Sequence, residues 1–505
     1  MTKLSGNKLA RNAGLNLVAS IMPLPLALIA IPVLLQGLGI EKFGILTIAW
    51  ALIGYAGILD LGIGRAITKI CAESLEEGID QPLSDAVSTG VVGLALGGVI
   101  GAALLVLLAP LIATNALHVA IPLRQETIHA IAILGVCVPF VVSSSGLRGI
   151  LEAFQRFDLV AYVRISSGIL LILAPVLVLP WTNRLEIVMG VLTVVRILMW
   201  VAFLLAVRST TPSLLRKINF SLPAAKSLLK FGGWVTVSNV VGPLIVYFDR
   251  FVIAAVLSVS AVTYYTTPFE AITKLWVVPS ALVGVLFPAF SSSFRTRPQI
   301  CTALFRNGIA ITFASMAILA VLVMSLSKEL LAIWLNADFA IKSGQVLCWL
   351  MLGVMFSSIA QVPFALIQAV GRPDMTAKLH CLELAPYVLL VLFFIDSMGI
   401  QGAALAWAIR AGVDLFLLSV IAGVTPSLDL RRYSSIRICA SASLGGVIGL
   451  VGFLAPSMGL KMVCILLGGI VVILITWRYL MFSEDRAAAI QITKRWALSV
   501  GKRDG

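Results

Sequence analysis

Charge is what this sequence has least of. Asp, Glu, Lys and Arg make up 12% of its 505 residues against 60% hydrophobic residues, and a mean hydropathy of +1.05 excludes a water-soluble globular chain. Histidine is almost absent, and His118, His129 and His380 stand singly. The seven cysteines, Cys71, Cys137, Cys301, Cys348, Cys381, Cys439 and Cys464, include no Cys-x-x-Cys spacing, so neither a disulfide framework nor a metal centre is expected. No motif calls for a cofactor. Acids are scarcer than bases, 23 against 37, but the basic residues are dispersed over short loops without a soluble module, which excludes nucleic acid as a partner.

What is present is apolar sequence of membrane-crossing length. A span needs about 20 such residues, and fourteen stretches qualify, from residues 13–37 and 43–64 at the start to 437–456 and 461–482 at the end. In lipid every backbone polar group must be satisfied inside its own helix, so the expected fold is an all-α integral membrane protein of about fourteen transmembrane helices. The run after Lys3, Lys8 and Arg11 is too long for a signal peptide and reads as the first of these helices. The acidic cluster Glu73, Glu76, Glu77, Asp80 and Asp85 reads as a solvated loop.

Lys and Arg alternate in density from one inter-span segment to the next. Arg65, Lys69, Arg148, Arg156, Arg164, Arg208, Lys226, Lys230, Arg295, Arg297, Arg372, Lys378, Arg431 and Arg432 fall on one side, and only scattered bases such as Lys42, Arg124 and Lys328 on the other. The positive-inside rule then puts both termini in the cytoplasm.

The chain also repeats itself. "ILEAFQRFDLVA" at 150–161 matches "LIQAVGRPDMTA" at 366–377, with Ala153, Arg156, Asp158 and Ala161 falling on Ala369, Arg372, Asp374 and Ala377. A second pairing sets the turn from residue 37 against that from 255, and a third aligns "GVLTVVRILMWVAF" at 190–203 with "AALAWAIRAGVDLFLL" at 403–418. Order is preserved throughout, so two six-helix lobes are expected at 1–212 and 231–424, joined by a basic cytoplasmic linker at 213–230 and followed by helices 13 and 14 with a basic tail at 425–505.

The third pairing equates Arg196 with Arg410, each inside an apolar span. Insertion scales put an arginine at a span centre at about 2.5–3.5 kcal/mol, so such residues face a bundle interior or a water-filled cavity. Arg196 and Arg410 are therefore expected to contact an anion in a lumen, with Lys274 as a further candidate. Asp60, Asp249, Glu270 and Asp414 are candidates for ion coupling or gating; Glu270 and Asp414 each lie four residues from a base and can equally form packing ion pairs. Arg148, Arg156 and Arg372, at helix ends on the basic side, are inner-gate candidates.

The run "LQGLGIEKFGILTIAWALIGYAGILDLGIGRAITKICAE" at 35–73, with Leu38, Gly39, Glu41, Phe43, Gly44, Asp60, Leu61 and Gly62, resembles the first hairpin of bacterial polysaccharide transporters. These are the O-antigen flippases of the multidrug/oligosaccharidyl-lipid/polysaccharide exporter superfamily. "YFDRFVIAAVLSVSAVTYYTTP" at 247–268 is similar to the start of that family's second lobe. The resemblance implies a bacterial inner-membrane flippase that moves undecaprenyl-pyrophosphate-linked oligosaccharide to the periplasmic leaflet by alternating access, with a cationic lumen and ion coupling. It also implies membrane lipid, a polysaccharide polymerase and a chain-length regulator as partners. Two other classes stay open. One is a multidrug or cation antiporter of the same superfamily, for which an acidic lumen is expected; the other is a membrane-embedded polymerase or ligase, for which the outer loops at about 113–126 and 326–343 are short.

Overall fold

The structure is a computed structural model, and it describes residues 22–480 apart from 61, 78–80, 155, 213–220, 425–427 and 429–434. Among these residues there is no strand, and every one of the fourteen apolar stretches is occupied by helix. The helices run in order as α1 Pro23–Leu38, α2 Ile40–Ala56, α3 Ile63–Glu77, α4 Gln81–Leu111, α5 Ile121–Ala153, α6 Phe157–Val178 and α7 Leu185–Thr210. They continue as α8 Leu222–Val256, α9 Val259–Thr273, α10 Val277–Ser293, α11 Pro298–Ser325, α12 Ser327–Trp334, α13 Ala337–Ala369 and α14 Pro373–Met398, then α15 Ile400–Gly423, α16 Ser435–Leu454 and α17 Met458–Ile475. Eleven helical segments of the described residues are long and apolar enough to cross a membrane, α9 and α10 counting as one through the 3₁₀ turn Lys274–Trp276. The chain is a multi-pass membrane protein.

One expectation needs correction. Residues after the second span continue as the amphipathic helix α3, so Glu73, Glu76 and Glu77 lie on helical backbone rather than in a loop, and Asp85 lies within α4, which begins at Gln81. The reason is spacing: Ala66, Ile67 and Cys71 recur on one side and are buried, while Arg65 is exposed on the other. Asp80 lies outside the described residues.

The contacts divide the chain into two compact units, Met1–Thr267 and Pro268–Gly505. In the first, α5 packs lengthwise against α4 and α7, and α8 packs on α2, α3 and α4. The opening turns of α9 also belong here, because Thr263 Oγ1 donates to Ile40 O at 2.6 Å and Gly44 lets the backbone of Val259 come close, where a Cβ would meet Val259 O at 2.4 Å. The division therefore falls inside α9, downstream of the basic stretch at 213–230, of which residues 213–220 lie outside the described residues.

In the second unit α13 packs against α15 as α5 packs against α7 in the first, matching the sequence repeat. Small residues set this packing, as is usual where lipid removes the hydrophobic drive between helices: at Gly353 an added Cβ would stand 2.3 Å from the Trp407 ring. α16 and α17 are held to α11 in the same way, through Gly445, Gly449 and Gly452 on α16. Lys461 on α17, a buried ammonium, adds an ion pair to Glu329 on α12 at 2.7 Å.

The two matched stretches fold into the same turn. α5 ends at Ala153 and Arg156 precedes α6, whose first turn holds Asp158; α13 ends at Ala369 and Arg372 precedes α14, whose first turn holds Asp374. The Arg156 N–H donates to Leu151 O at 2.8 Å and the Arg372 N–H donates to Ile367 O at 3.1 Å, so even the backbone hydrogen bond is reproduced.

Candidate functional site

In the first unit Arg196 sits near the middle of α7. One turn earlier Thr193 Oγ1 donates to Ile133 O on α5 at 3.3 Å, which joins the two helices at this height. The charged head has the Cys137 thiol of α5 as its electrostatic neighbour, and its Nε is buried without a hydrogen-bond partner. A guanidinium carries five N–H donors and cannot be neutralised, so an unsatisfied donor in an apolar span is costly unless an acceptor arrives.

Two of the other candidates of this unit, Asp60 and Arg148, are neighbours. Asp60, in a 3₁₀ turn after α2, accepts from the Gly64 N–H at 2.8 Å and has Ser145, Arg148 and Arg65 around it. Arg148 lies 3.5 Å from Glu152, and both are the charged neighbours of Arg164 on α6. Arg156 is engaged separately, donating to both oxygens of Asp158 at 3.0 and 3.1 Å, and these hydrogen bonds hold its guanidinium pKa above the ordinary value. Asp249, fully buried on α8, accepts from the Arg250 N–H at 2.8 Å and from the Tyr265 hydroxyl, while Arg250 lies over the Tyr247 ring at 4.9 Å.

The second unit holds a buried ionisable cluster between α14 and α15. Arg410 Nη1 lies 3.5 Å from Glu383 Oε2, and the guanidinium stands 5.8 Å above the Tyr387 ring. Asp414, one turn on from Arg410, is a second carboxylate beside Glu383 and lies 3.5 Å from His380 Nε2. That last contact lacks hydrogen-bond geometry, since Asp414 Oδ1 makes no hydrogen bond, so it is an electrostatic approach. His380 itself stacks on Phe364 of α13, with ring planes 8° apart. Arg410 is thus paired with a carboxylate where Arg196 is not, although the sequence pairing aligns the two. Glu270 and Lys274 pair with each other at 3.4 Å, and Arg372 is exposed ahead of α14, where Asp374 and Lys378 pair at 3.3 Å.

Sequence reasoning did not join His380, Glu383 and Tyr387 into one site. Their spacing of three and four residues puts them on one face of α14, a signal that was available; the partner face on α15 was not. Chemically the cluster sets two carboxylates against one permanent cation, with an imidazole beside them that becomes cationic by taking a proton.

Residues 9–294 match the model of the family described as "Polysaccharide biosynthesis protein". The chain belongs to this family. It is 30% identical over 412 residues, covering 81% of this chain and 96% of the relative, to a Shigella flexneri protein named as an O-antigen transporter. A Haloferax volcanii protein named as a low-salt glycan biosynthesis flippase is 26% identical over 227 residues, 44% of this chain and 47% of that protein. Among solved structures, the lipid II flippase MurJ in an inward closed conformation superposes with a TM-score of 0.70 at 14% identity, covering 91% of this chain and 98% of that one. An inward-facing multidrug resistance transporter of the MATE family of the MOP superfamily also gives 0.70, at 13% identity over 81% and 97% of the two chains. At these identities the likeness is one of fold alone.

Proposed function

We propose that this protein is a flippase that carries an undecaprenyl-pyrophosphate-linked oligosaccharide, an O-antigen or exopolysaccharide repeat unit, from the cytoplasmic to the periplasmic leaflet of a bacterial inner membrane by alternating access. Both termini lie in the cytoplasm on this reading, and the chain is organised as two six-helix lobes at 1–212 and 231–424 joined by the linker at 213–230, with 425–505 appended. The single observation that carries it is Arg196, a guanidinium inside an apolar span whose buried Nε has no protein acceptor. A diphosphate supplies such an acceptor, and Arg matches its geometry better than Lys does. The family and the names of the relatives support the substrate class.

Arg410 and Lys274 act with Arg196 as lumenal anion contacts once the substrate competes with their carboxylate partners Glu383 and Glu270. Asp414 with Glu383 and His380 takes up the coupling proton, and Asp60 and Asp249 serve gating in the first unit. Arg148, Arg156 and Arg372 meet the incoming head group at the cytoplasmic side. A polymerase and its chain-length regulator receive the product in the periplasmic leaflet.

The test is complementation of cells deleted for the flippase of the matching polysaccharide. Wild type is expected to restore surface polymer, and Arg196→Ala at equal membrane level to leave the lipid-linked precursor facing the cytoplasm. Failure of wild type to restore polymer sinks the glycolipid reading, and normal transport by Arg196→Ala removes the arginine from the path.

A further inference from the structure

The helix α10 has two exposed sides of different character. Val278 and Val285, 40% and 70% exposed, make one apolar side. Ser280 and Gly284 lie on another, and an added Cβ at Gly284 would meet nothing within 4 Å. Against Ser280 lies Gln361 of α13, the serine hydroxyl donating to Oε1 at 3.3 Å, and one turn away Trp276 Nε1 donates to Ser357 Oγ at 3.0 Å. Both rungs link residues 81 apart, so α10 and α13 run side by side in register with a polar rung at each turn of about 5.4 Å. These rungs lie inside membrane-crossing helices, where a polar group needs a partner; Ser280 and Gln361 satisfy each other through their oxygens, and Phe287, 41% exposed, shares this side.

The chemistry of the face is specific. Its own residues, Trp276, Ser280, Gly284 and Gln361, carry no charge, and Lys274, two residues before Trp276, is paired with Glu270 at 3.4 Å. The Gln361 amide uses its oxygen on Ser280 and keeps its NH2 donors for a ligand. The Trp276 ring is fixed by Ser357 at its nitrogen and by Trp407 behind it, with ring centroids 6.3 Å apart, so it offers a rigid apolar plate. Gly284 leaves space beside them. Amide donors, a hydroxyl, an aromatic plate and no charge together suit a pyranose ring and do not suit a diphosphate.

We propose that Trp276, Ser280, Gly284 and Gln361 form a saccharide subsite of the translocation path, which takes an uncharged sugar of the transported oligosaccharide while the arginines take its diphosphate. The inference rests on the flippase reading. A ring stacks on Trp276 and two of its hydroxyls bond to the Gln361 amide, and sugars with a differently placed hydroxyl lose that contact.

The full-length protein in nanodiscs would be titrated with labelled oligosaccharide released by mild acid from the lipid-linked precursor of the source cells, and separately with sugar-free undecaprenyl pyrophosphate. Saturable binding of the oligosaccharide is expected, weakened about tenfold, or 1.4 kcal/mol, in Gln361→Leu, with undecaprenyl pyrophosphate binding unchanged. Gln361→Asn should recover part of the loss, and Ser280→Ala tests the same rung where Gln361→Leu does not fold. Equal oligosaccharide binding by wild type and the folded variants overturns the subsite, as does wild type that binds only undecaprenyl pyrophosphate; in both cases the flippase reading stands. Wild type that binds neither probe and restores no polymer overturns the flippase reading and the subsite with it.

Discussion

Arg410 and Glu383 hold each other at 3.5 Å from neighbouring helices, α15 and α14, with both side chains at least nine-tenths withdrawn from the surface. A charge in such a place is tolerated because its partner is there. Taking the partner away leaves an ion with no solvent to receive it.

Glu383→Ala should therefore destabilise the protein by about 3–5 kcal/mol, more than an exposed pair would lose. The double variant Glu383→Ala with Arg410→Ala should recover part of that, because it removes the stranded guanidinium as well. Thermal unfolding in detergent through a double-mutant cycle measures this, with a coupling of about 1–3 kcal/mol expected. Strict additivity would mean that the two residues do not act as a pair.

Arg196 should behave in the opposite sense. Arg196→Met removes a buried donor that lacks a partner, so the folded state should be unharmed or raised in Tm while surface polymer is lost. Arg196→Lys keeps the charge but not the fork of donors, and an intermediate transport rate is expected. A variant that loses both Tm and transport would mark Arg196 as a packing residue.

Glu329 supplies a pH dependence outside the spans. Burial would raise its pKa, but the hydrogen bond and charge of Lys461 outweigh this and hold the carboxyl below its usual value of 4.5. A depressed folded-state pKa contributes stability that is full above the unfolded value and fades as pH falls through the folded one. The Tm difference between wild type and Glu329→Gln should thus be present at pH 6 and shrink as the pH falls below about 4.5. Glu329 is 35% exposed, so solvent screening limits the effect to about 1 kcal/mol or less.

Gly452 on α16 touches Ser325 so closely that an added Cβ would stand 1.9 Å from its hydroxyl. Gly452→Val should cost about 1–3 kcal/mol by overpacking and loosen α16 and α17 from α11. Cross-linking of cysteines introduced across α11 and α16 would report the separation. Unchanged cross-linking would show that the two helices are held elsewhere.

Most of the membrane architecture is legible in the order of residues. An apolar run of sufficient length in lipid has one way to satisfy its backbone, so the spans near 127–150, 301–325 and 400–423 became helices where their composition required. The turn shared by Arg156 and Arg372 was legible too, since four matched residues recur in it without a gap. Amphipathic α3 was harder, because its apolar face is short and lies between acids that resemble a loop.

What the sequence could not determine is which charge meets which. Arg196 and Arg410 sit in matching contexts along the chain, and residue order alone makes them alike. Only the packing of α14 on α15 brings Glu383 to Arg410 and Asp414 to His380, while α5 offers Arg196 no carboxylate. Local sequence fixes a helix because its hydrogen bonds close within four residues. An ion pair or a polar rung between helices depends on the relative rotation and height of two segments, which tertiary packing alone sets.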